Sequence, residues 1–183
     1  TPLTPDNVKS ITVATNSEPI LSHIGSITEP TDILGAQFSL PFSMAMRLHH
    51  GGRGVKGGNG FWDYVDVDCT DPALVETARK VKVTVAQNDK WERVDEGAGL
   101  EIETTDGRKI EACVPFSKGL PENPLSPVEV EEKFRYLVDP VMPAGGPDAV
   151  VQAVAGLESI KDINDLVRLL VVPQTPDARA AAE

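Results

Sequence analysis

Side chains that could bind an anion are concentrated in one stretch of this acidic chain. The protein carries 28 acidic residues among 183, yet none lies between Asp32 and Asp63. Average usage would place roughly four or five acids in an interval of that length. The interval instead holds a set of cations and histidines, namely Arg47, His49, His50, Arg53 and Lys56. Inside a protein of net charge −11, this stretch predicts a surface that binds something anionic.

Residues that support nucleophilic or metal-dependent catalysis form no recognisable pattern. Cys69 and Cys113 form no CxxC pair and have no histidine at a diagnostic spacing, so we interpret both as small buried hydrophobic residues. The adjacent pair His49 and His50 cannot easily point at one ion, and His23 is remote in sequence, so no metal site is predicted. Neither GxSxG nor HExxH occurs.

The cationic stretch must be positioned by the segment that leads into it, Gly35 to His50. This segment is long, apolar and free of acids, and it predicts a turn followed by a largely buried helix. Pro41 suits the first turn, where a missing N–H costs nothing. The glycine-rich residues after the helix match GxGxxG from Gly52 to Gly57. No strand precedes them, so a flexible loop is favoured over a dinucleotide site.

The rest of the chain predicts a small sheet and several helices. Pro5 supports a short helical turn at Asn7-Val8, and residues 19–34 are expected to be an irregular loop. Alternating β-branched residues and an Asp-Gly hairpin of type I′ predict strands at Ser10 to Thr15, Val81 to Val85, Leu100 to Thr104 and Lys109 to Val114. The acids on the hairpin predict a solvated sheet face: Glu101, Glu103 and Glu111.

Capping residues and prolines mark further helices. They are predicted after Asp71, from Ser126 to about Val138, from Ala149 to a C-cap at Gly156, and after Ser159. Ser159 with Asp162 is expected to cap this last helix, whose apolar face holds Ile160, Ile163, Leu166, Val167 and Leu170. Together the elements predict an α+β fold, with a small, mostly antiparallel sheet and helices packed on one face.

Length and charge limit the remaining possibilities. The chain is expected to form one domain over residues 1–172, with a disordered tail at 173–183. No apolar run is long enough for a membrane span, and the N-terminus has no signal-peptide pattern. The negative charge argues against nucleic acid and membrane as partners, and we expect a cytoplasmic protein.

Two segments resemble the C-terminal half of the MmgE/PrpD family. AQFSLPFSMAMRL, at residues 36–48, is similar to the family's A-x-F-S-L-P-[YF]-x-x-A segment. KGLPENPLSPVEVEEKF, at residues 118–134, is similar to its K-G-x-x-x-N-P-L-S-x-x-x-x-x-K-F segment. The order and spacing of the two segments also fit, and the resemblance covers roughly Leu3 to Leu170.

This resemblance implies a function. The family's α+β domain serves as a lid over an all-helical N-terminal domain, in cofactor-free lyases and isomerases of small di- and tricarboxylates. We therefore expect part of a 2-methylcitrate dehydratase-like enzyme, with decarboxylation or epimerisation as alternatives, and a homodimer. The main acid and base groups are expected outside this chain, so the chain alone should be inactive. The alternative is a non-catalytic binding or interaction module that retains the lid fold.

The resemblance also suggests residues of the substrate pocket. Phe42 stands where the family commonly has a tyrosine whose hydroxyl faces the active site, so it either lines the pocket or packs in the core. Ser39 is expected either to donate to a substrate carboxylate or to cap the helix. Lys118, in the second segment, is a further pocket candidate. The candidate anion contacts, which are otherwise solvated surface groups, are Arg47, His49 and His50.

Overall fold

The computed structural model describes residues 2–86, 91 and 97–172. The predicted tail at 173–183 lies outside the described residues. Within the described part the chain divides at Ser126 into two compact units, of which the first holds the sheet and the second holds three helices. No described helix is long and apolar enough to cross a membrane. The prediction of one domain over residues 1–172 stays a prediction.

The first unit is built on a four-stranded open sheet. Its strands are β1 (Val8–Thr15), β2 (Val81–Val85), β3 (Ala98–Thr104) and β4 (Lys109–Val114), in the order β2-β1-β3-β4. β1 pairs parallel with β2, whereas the β1–β3 and β3–β4 pairs are antiparallel. The predicted α+β fold with a mostly antiparallel sheet is confirmed.

The turn between β3 and β4 differs from the predicted type I′ turn. Type I′ requires positive φ at both central residues, but only Gly107 of the Asp106-Gly107 pair has it, at +85°. The N–H of Gly107 donates to Thr104 O at 3.0 Å, and the N–H of Thr104 donates to Arg108 O at 2.9 Å. Thr104 to Gly107 therefore form an ordinary four-residue turn, and the left-handed Gly107 follows as the last residue of the loop. The loop is one residue longer than the two-residue loop of a type I′ turn.

Helix α2 (Leu40–His50) is the element around which the first unit packs. One side, with Leu40, Met44 and Leu48, contacts the sheet core formed by Ile11, Val13 and other strand residues. The other side carries Phe42, Ala45 and Met46, which pack against Leu74 and Ala78 of α4 (Pro72–Ala78). Apolar residues on two sides explain why the sequence of this helix is nearly continuously apolar.

The remaining elements of the first unit confirm some predictions and correct others. Asp71 caps α4 through the N–H of Ala73, with Pro72 in the first turn, as predicted. Residues 19–34 are not wholly irregular, because they contain a π-helix at Ile20–Ile24 and the start of α1 (Ile33–Gln37). Thr4 O accepts from the N–H groups of Asn7 at 3.2 Å and Val8 at 3.1 Å, which is the predicted single helical turn, and the turn leads directly into β1.

The hairpin acids lie on the face of the sheet opposite α2, which also carries an apolar cluster of Ala14, Ala86 and Trp91. Glu103 pairs with Lys9 at 2.7 Å, and Glu101 pairs with Lys109 at 3.7 Å. Both cysteines are free, but Cys113 is exposed on the edge strand β4, so the interpretation of that residue as buried is wrong. An edge strand has no neighbour on one side, and β4 is short and charged, which limits unwanted pairing.

The second unit contains α5 (Pro127–Val138), α6 (Gly146–Ala155) and α7 (Ile163–Leu169). Gly156 ends α6, as predicted. The predicted start of the last helix at Ser159 is wrong, because the Ser159 hydroxyl donates to Gly156 O and Asp162 caps α7 through the N–H of Asn164. Arg135 of α5 joins Glu131 at 2.8 Å and Asp148 of α6 at 2.7 Å. Three residues predicted to share one apolar face of the last helix are about half exposed: Ile163, Val167 and Leu170.

Candidate functional site

The first turn of α2 is held by Ser39, whose hydroxyl is fully occupied. Ser39 Oγ accepts from the N–H of Phe42 at 2.9 Å and donates to Ile27 O at 2.6 Å. The residue is completely buried. Of the two predicted roles, the structure shows helix capping. Donation to a substrate would require the bond to Ile27 to break, and that role stays a prediction.

Phe42 lies in the core of the first unit. Its side chain has no exposed surface and belongs to one cluster with Ala36, Met46 and Leu74. Core packing is therefore what the structure shows. A role in lining the substrate pocket of a larger enzyme stays a prediction.

Hydrogen bonds that the sequence did not predict connect the first turn of α2 to α3 and to the loop before α3. Ser43 Oγ donates to Ser39 O at 2.6 Å, so its oxygen accepts from the hydroxyl of Tyr64 at 2.7 Å. Tyr64 belongs to α3 (Phe61–Asp66). Asn59 Nδ2 donates to Ser43 O at 2.7 Å, while Asn59 Oδ1 is buried and accepts no hydrogen bond from the described residues. The loop before α3 and α3 itself are thus fixed to the start of α2.

The last turn of α2 brings together the three candidate anion contacts. Arg47 and His50 are exposed, and His49 is half-buried. His49 Nε2 lies 2.9 Å from Thr77 Oγ1 on α4. Burial, and then the neighbouring His50, lower the pKa of His49 from its usual 6.5. His49 is therefore a neutral group between two helices at neutral pH, and a neutral imidazole is a weaker anion contact than a cation.

The glycine-rich loop after α2 is closed by its own backbone. The N–H of Gly54 donates to Gly58 O at 2.8 Å, and that of Gly57 donates to Gly54 O at 2.9 Å. A Cβ atom at Gly52 would lie 2.3 Å from Gly58 O, so no larger residue fits there. The sequence predicted a flexible loop, whereas the structure shows a tight one whose glycines allow backbone to meet backbone.

Arg53 fixes this loop to α3. Its Nε donates to Asp63 Oδ1 and its Nη2 to Asp66 Oδ2, both at 2.6 Å. Burial opposes ionisation of Asp63, but hydrogen bonds from Arg53 and Gly60 outweigh it and hold the pKa of Asp63 below its usual range. The same contacts raise the pKa of Arg53. Arg53 is thus already paired with two carboxylates and is a poor candidate for binding a third.

A pocket of about 360 Å³ lies beside these residues, between α2, α3 and α4. Its lining combines one arginine and one histidine with four aspartates: Arg53, His50, Asp63, Asp66, Asp68 and Asp71. The hydroxyl and the N–H of Thr70 keep the pKa of Asp68 below its usual range. A pocket with this excess of carboxylates repels a polycarboxylate.

Lys118 lies in the loop after β4 and is exposed. The loop is tied by Asn123, whose Nδ2 donates to Phe116 O at 2.9 Å and whose carbonyl accepts from the N–H of Gly119 at 2.8 Å. Gly119 has a φ of +105°, which explains why glycine follows the lysine. A substrate contact by Lys118 stays a prediction.

Comparison with known proteins places this fold in a family. The sequence model of the MmgE/PrpD C-terminal domain matches residues 1–158. The chain belongs to the MmgE/PrpD family. The match ends before α7, earlier than the resemblance to Leu170 predicted.

A curated relative gives the same result. The chain is similar to "Cis-aconitate decarboxylase-like protein oryM" of Aspergillus oryzae, with 26% identity over 168 residues. The alignment covers 90% of this chain but 33% of the relative. The MmgE/PrpD domain described here therefore spans about a third of the length of the curated relative that it matches.

The MmgE/PrpD domain separates its candidate residues into groups. Ser39 and Phe42 lie at the first turn of α2, whereas Arg47, His49 and His50 lie at its last turn. Eleven residues of helix separate the ends by about 16 Å. Within the described residues, no three His, Cys, Asp or Glu side chains are arranged to hold a metal ion. The pairing of Arg53 was not predicted from the sequence. The signal for it was the presence of Asp63 and Asp66 directly after the acid-free interval.

Proposed function

We propose that this chain is the C-terminal lid domain of a cofactor-free lyase or isomerase that acts on small di- or tricarboxylates. The observation that carries the proposal is the family match over residues 1–158. The name of the A. oryzae relative refers to a tricarboxylate, which supports the same substrate class. Within that class we propose 2-methylcitrate dehydration as the first reaction to test, and cis-aconitate decarboxylation as the second.

The proposed chemistry explains what a lid domain must supply. Removal of a proton next to a carboxylate develops enolate charge, which requires positioned hydrogen-bond donors in a site with little water. A closing domain excludes water and adds a few donors. We propose that the acid and base groups come from an all-helical N-terminal domain, that the enzyme is a cytoplasmic homodimer, and that the chain alone is inactive.

Electrostatics restrict where this lid can hold its substrate. A net charge of −11 does not attract a polycarboxylate, so local cations must do so. The acid-free stretch and Lys118 supply them, whereas the acidic pocket beside Arg53 does not. Substrate contacts are therefore expected at exposed cations of the lid and not in the acidic pocket.

The test is an activity assay on the complete product of the gene that encodes this chain, with the 183-residue chain as control. Formation of the unsaturated product from 2-methylcitrate and citrate is followed in the ultraviolet, and release of CO₂ is followed from cis-aconitate. We expect turnover by the complete product and none by the chain alone. Absence of turnover in both, at protein concentrations that would reveal very slow reaction, contradicts the proposal and favours a non-catalytic binding module.

A further inference from the structure

Arg47 differs from the other arginines that the structure describes. The paired arginines are Arg53, Arg79, Arg108, Arg135 and Arg168, each of which contacts at least one aspartate or glutamate. Arg47 forms no ion pair with a described residue. In a chain with 28 acids and 17 basic residues, nearby acids normally satisfy an arginine. Its lack of a partner is therefore specific to this location.

The glycine loop leaves room for the guanidinium group of Arg47. A Cβ atom at Gly57 would lie 3.3 Å from Arg47 Nη2, and one at Gly51 would lie 3.6 Å from Nη1. Both glycines have positive φ, at +72° and +69°. The backbone thus passes close to the guanidinium where only glycine can follow this path without strain. Because the loop is closed by its own hydrogen bonds, it provides a fixed surface under an exposed arginine.

The neighbouring side chains Arg53 and His49 do not share these properties. Arg53 is paired with Asp63 and Asp66, and His49 bonds to Thr77 between two helices. The last turn of α2 thus presents one guanidinium that is exposed, supported from one side and without a carboxylate. A planar guanidinium matches a carboxylate through two parallel N–H···O bonds.

We infer that Arg47, supported by the glycines of the following loop, binds one carboxylate of the substrate. The inference rests on the proposed function and narrows the three candidate anion contacts to one. A different role is compensation of the negative end of the α2 dipole, which requires only a positive charge. Lysine at position 47 would retain that compensation and lose the two-bond geometry.

The experiment measures binding of citrate to the complete gene product by titration calorimetry. Four proteins are compared: the native protein, Arg47→Gln, Arg47→Lys and Arg79→Gln. Arg79→Gln is the control, because it removes the same charge from another exposed arginine, which is paired with Glu29. We expect Kd to rise about 10- to 100-fold in Arg47→Gln, because a charge-assisted contact of this kind is lost. The Kd of Arg47→Lys should lie between those of Arg47→Gln and the native protein. Arg79→Gln should not change Kd.

Melting temperatures of all four proteins test for loss of folding, and turnover of 2-methylcitrate, citrate and cis-aconitate is measured in parallel. Unchanged Kd in Arg47→Gln, in a protein that turns over a tricarboxylate, overturns the inference and leaves the proposed function intact. Full retention of binding in Arg47→Lys shows that charge alone matters and also overturns it. A native protein that neither binds nor turns over any of the three compounds refutes the proposed function and this inference with it.

Discussion

The two ends of α2 have opposite environments, although one helix of eleven residues connects them. At the first turn, Ser39 and Phe42 are completely buried, and the serine hydroxyl is used by the backbone. At the last turn, Arg47 and His50 are exposed beside a glycine loop. Ser39 and Phe42 of the family motif are therefore packed inside this unit, whereas the exposed side chains Arg47 and His50 lie at the other end of the helix.

The residues of the motif at the buried end each meet a structural requirement of the helix. Ser39 fits the motif because a cap must receive the N–H of Phe42 and also satisfy Ile27 O in a buried position. Pro41 fits because the first turn needs no N–H there. Arg47 has no equivalent local requirement, so its exposure without an ion pair to any described residue carries more information about binding.

The largest effect is expected at the buried end. Phe42→Ala removes a fully buried ring and should lower the free energy of unfolding by about 3–5 kcal/mol. Phe38→Ala is the matched control, because Phe38 lies four residues earlier and is 51% exposed, so it should cost about 1 kcal/mol or less. Urea unfolding of both variants measures the difference, and equal losses would show that the two positions are not distinguished by burial.

Phe42→Tyr sharpens the same comparison. In a closed core the added hydroxyl has neither space nor partner and should destabilise by about 1–3 kcal/mol. If Phe42 instead lines the substrate pocket of the complete enzyme, the tyrosine should be tolerated and should raise kcat. Melting temperature and kcat, measured on the complete gene product, separate these two outcomes.

The next largest effect is expected in the glycine loop. Gly52→Ala places a Cβ atom 2.3–2.5 Å from backbone atoms of Gly57 and Gly58, and should cost about 1–3 kcal/mol as overpacking. Gly58→Ala in the same loop meets nothing closer than 3.4 Å, so we expect a change of about 0.5 kcal/mol or less. Thermal unfolding provides the comparison. A loop that can open would tolerate both substitutions equally.

A smaller effect is expected from the cap. Ser39→Ala leaves the N–H of Phe42 and the carbonyl of Ile27 without their partner, and should cost about 1–2 kcal/mol. Ser22→Ala is the control, since the Ser22 hydroxyl also donates to a carbonyl, that of Glu18, but at an exposed position where water can replace it. Denaturant unfolding with similar losses in both variants would argue against burial as the cause.

Much of the fold could be predicted because local patterns agree with tertiary packing. The alternation at Ile11 and Val13, the Asp71 cap and the Gly156 C-cap all appear where the sequence indicates them. The errors occur where a single residue decides between conformations of similar energy. The hairpin turn depends on whether Asp106 adopts positive φ, and in this structure only Gly107 does.

The site was harder to predict because its properties depend on contacts between distant residues. Sequence gives the charge of Arg53 but not its pairing with Asp63 and Asp66, thirteen residues away at most. Likewise, His49 and His50 are adjacent, yet only His49 turns toward Thr77 on α4. Whether a cation is available for a ligand follows from such pairings, which composition and spacing do not specify.

His49 provides a pH test of the polar end of α2. Burial lowers its pKa below the value of 6.5 that it has when unfolded, so the unfolded state binds the proton more readily. Stability is therefore expected to be fully present above about pH 6.5 and to fall as the pH decreases through the lower folded pKa.

His49→Gln should flatten this part of the curve of stability against pH, because glutamine can still bond to Thr77 and does not titrate. His50→Gln should retain it, since His50 is exposed and is a smaller cause of the shift than burial. Melting temperatures of the three proteins between pH 5 and 7.5 make the comparison, and an unchanged slope in His49→Gln would mean that the acid sensitivity arises elsewhere in the chain.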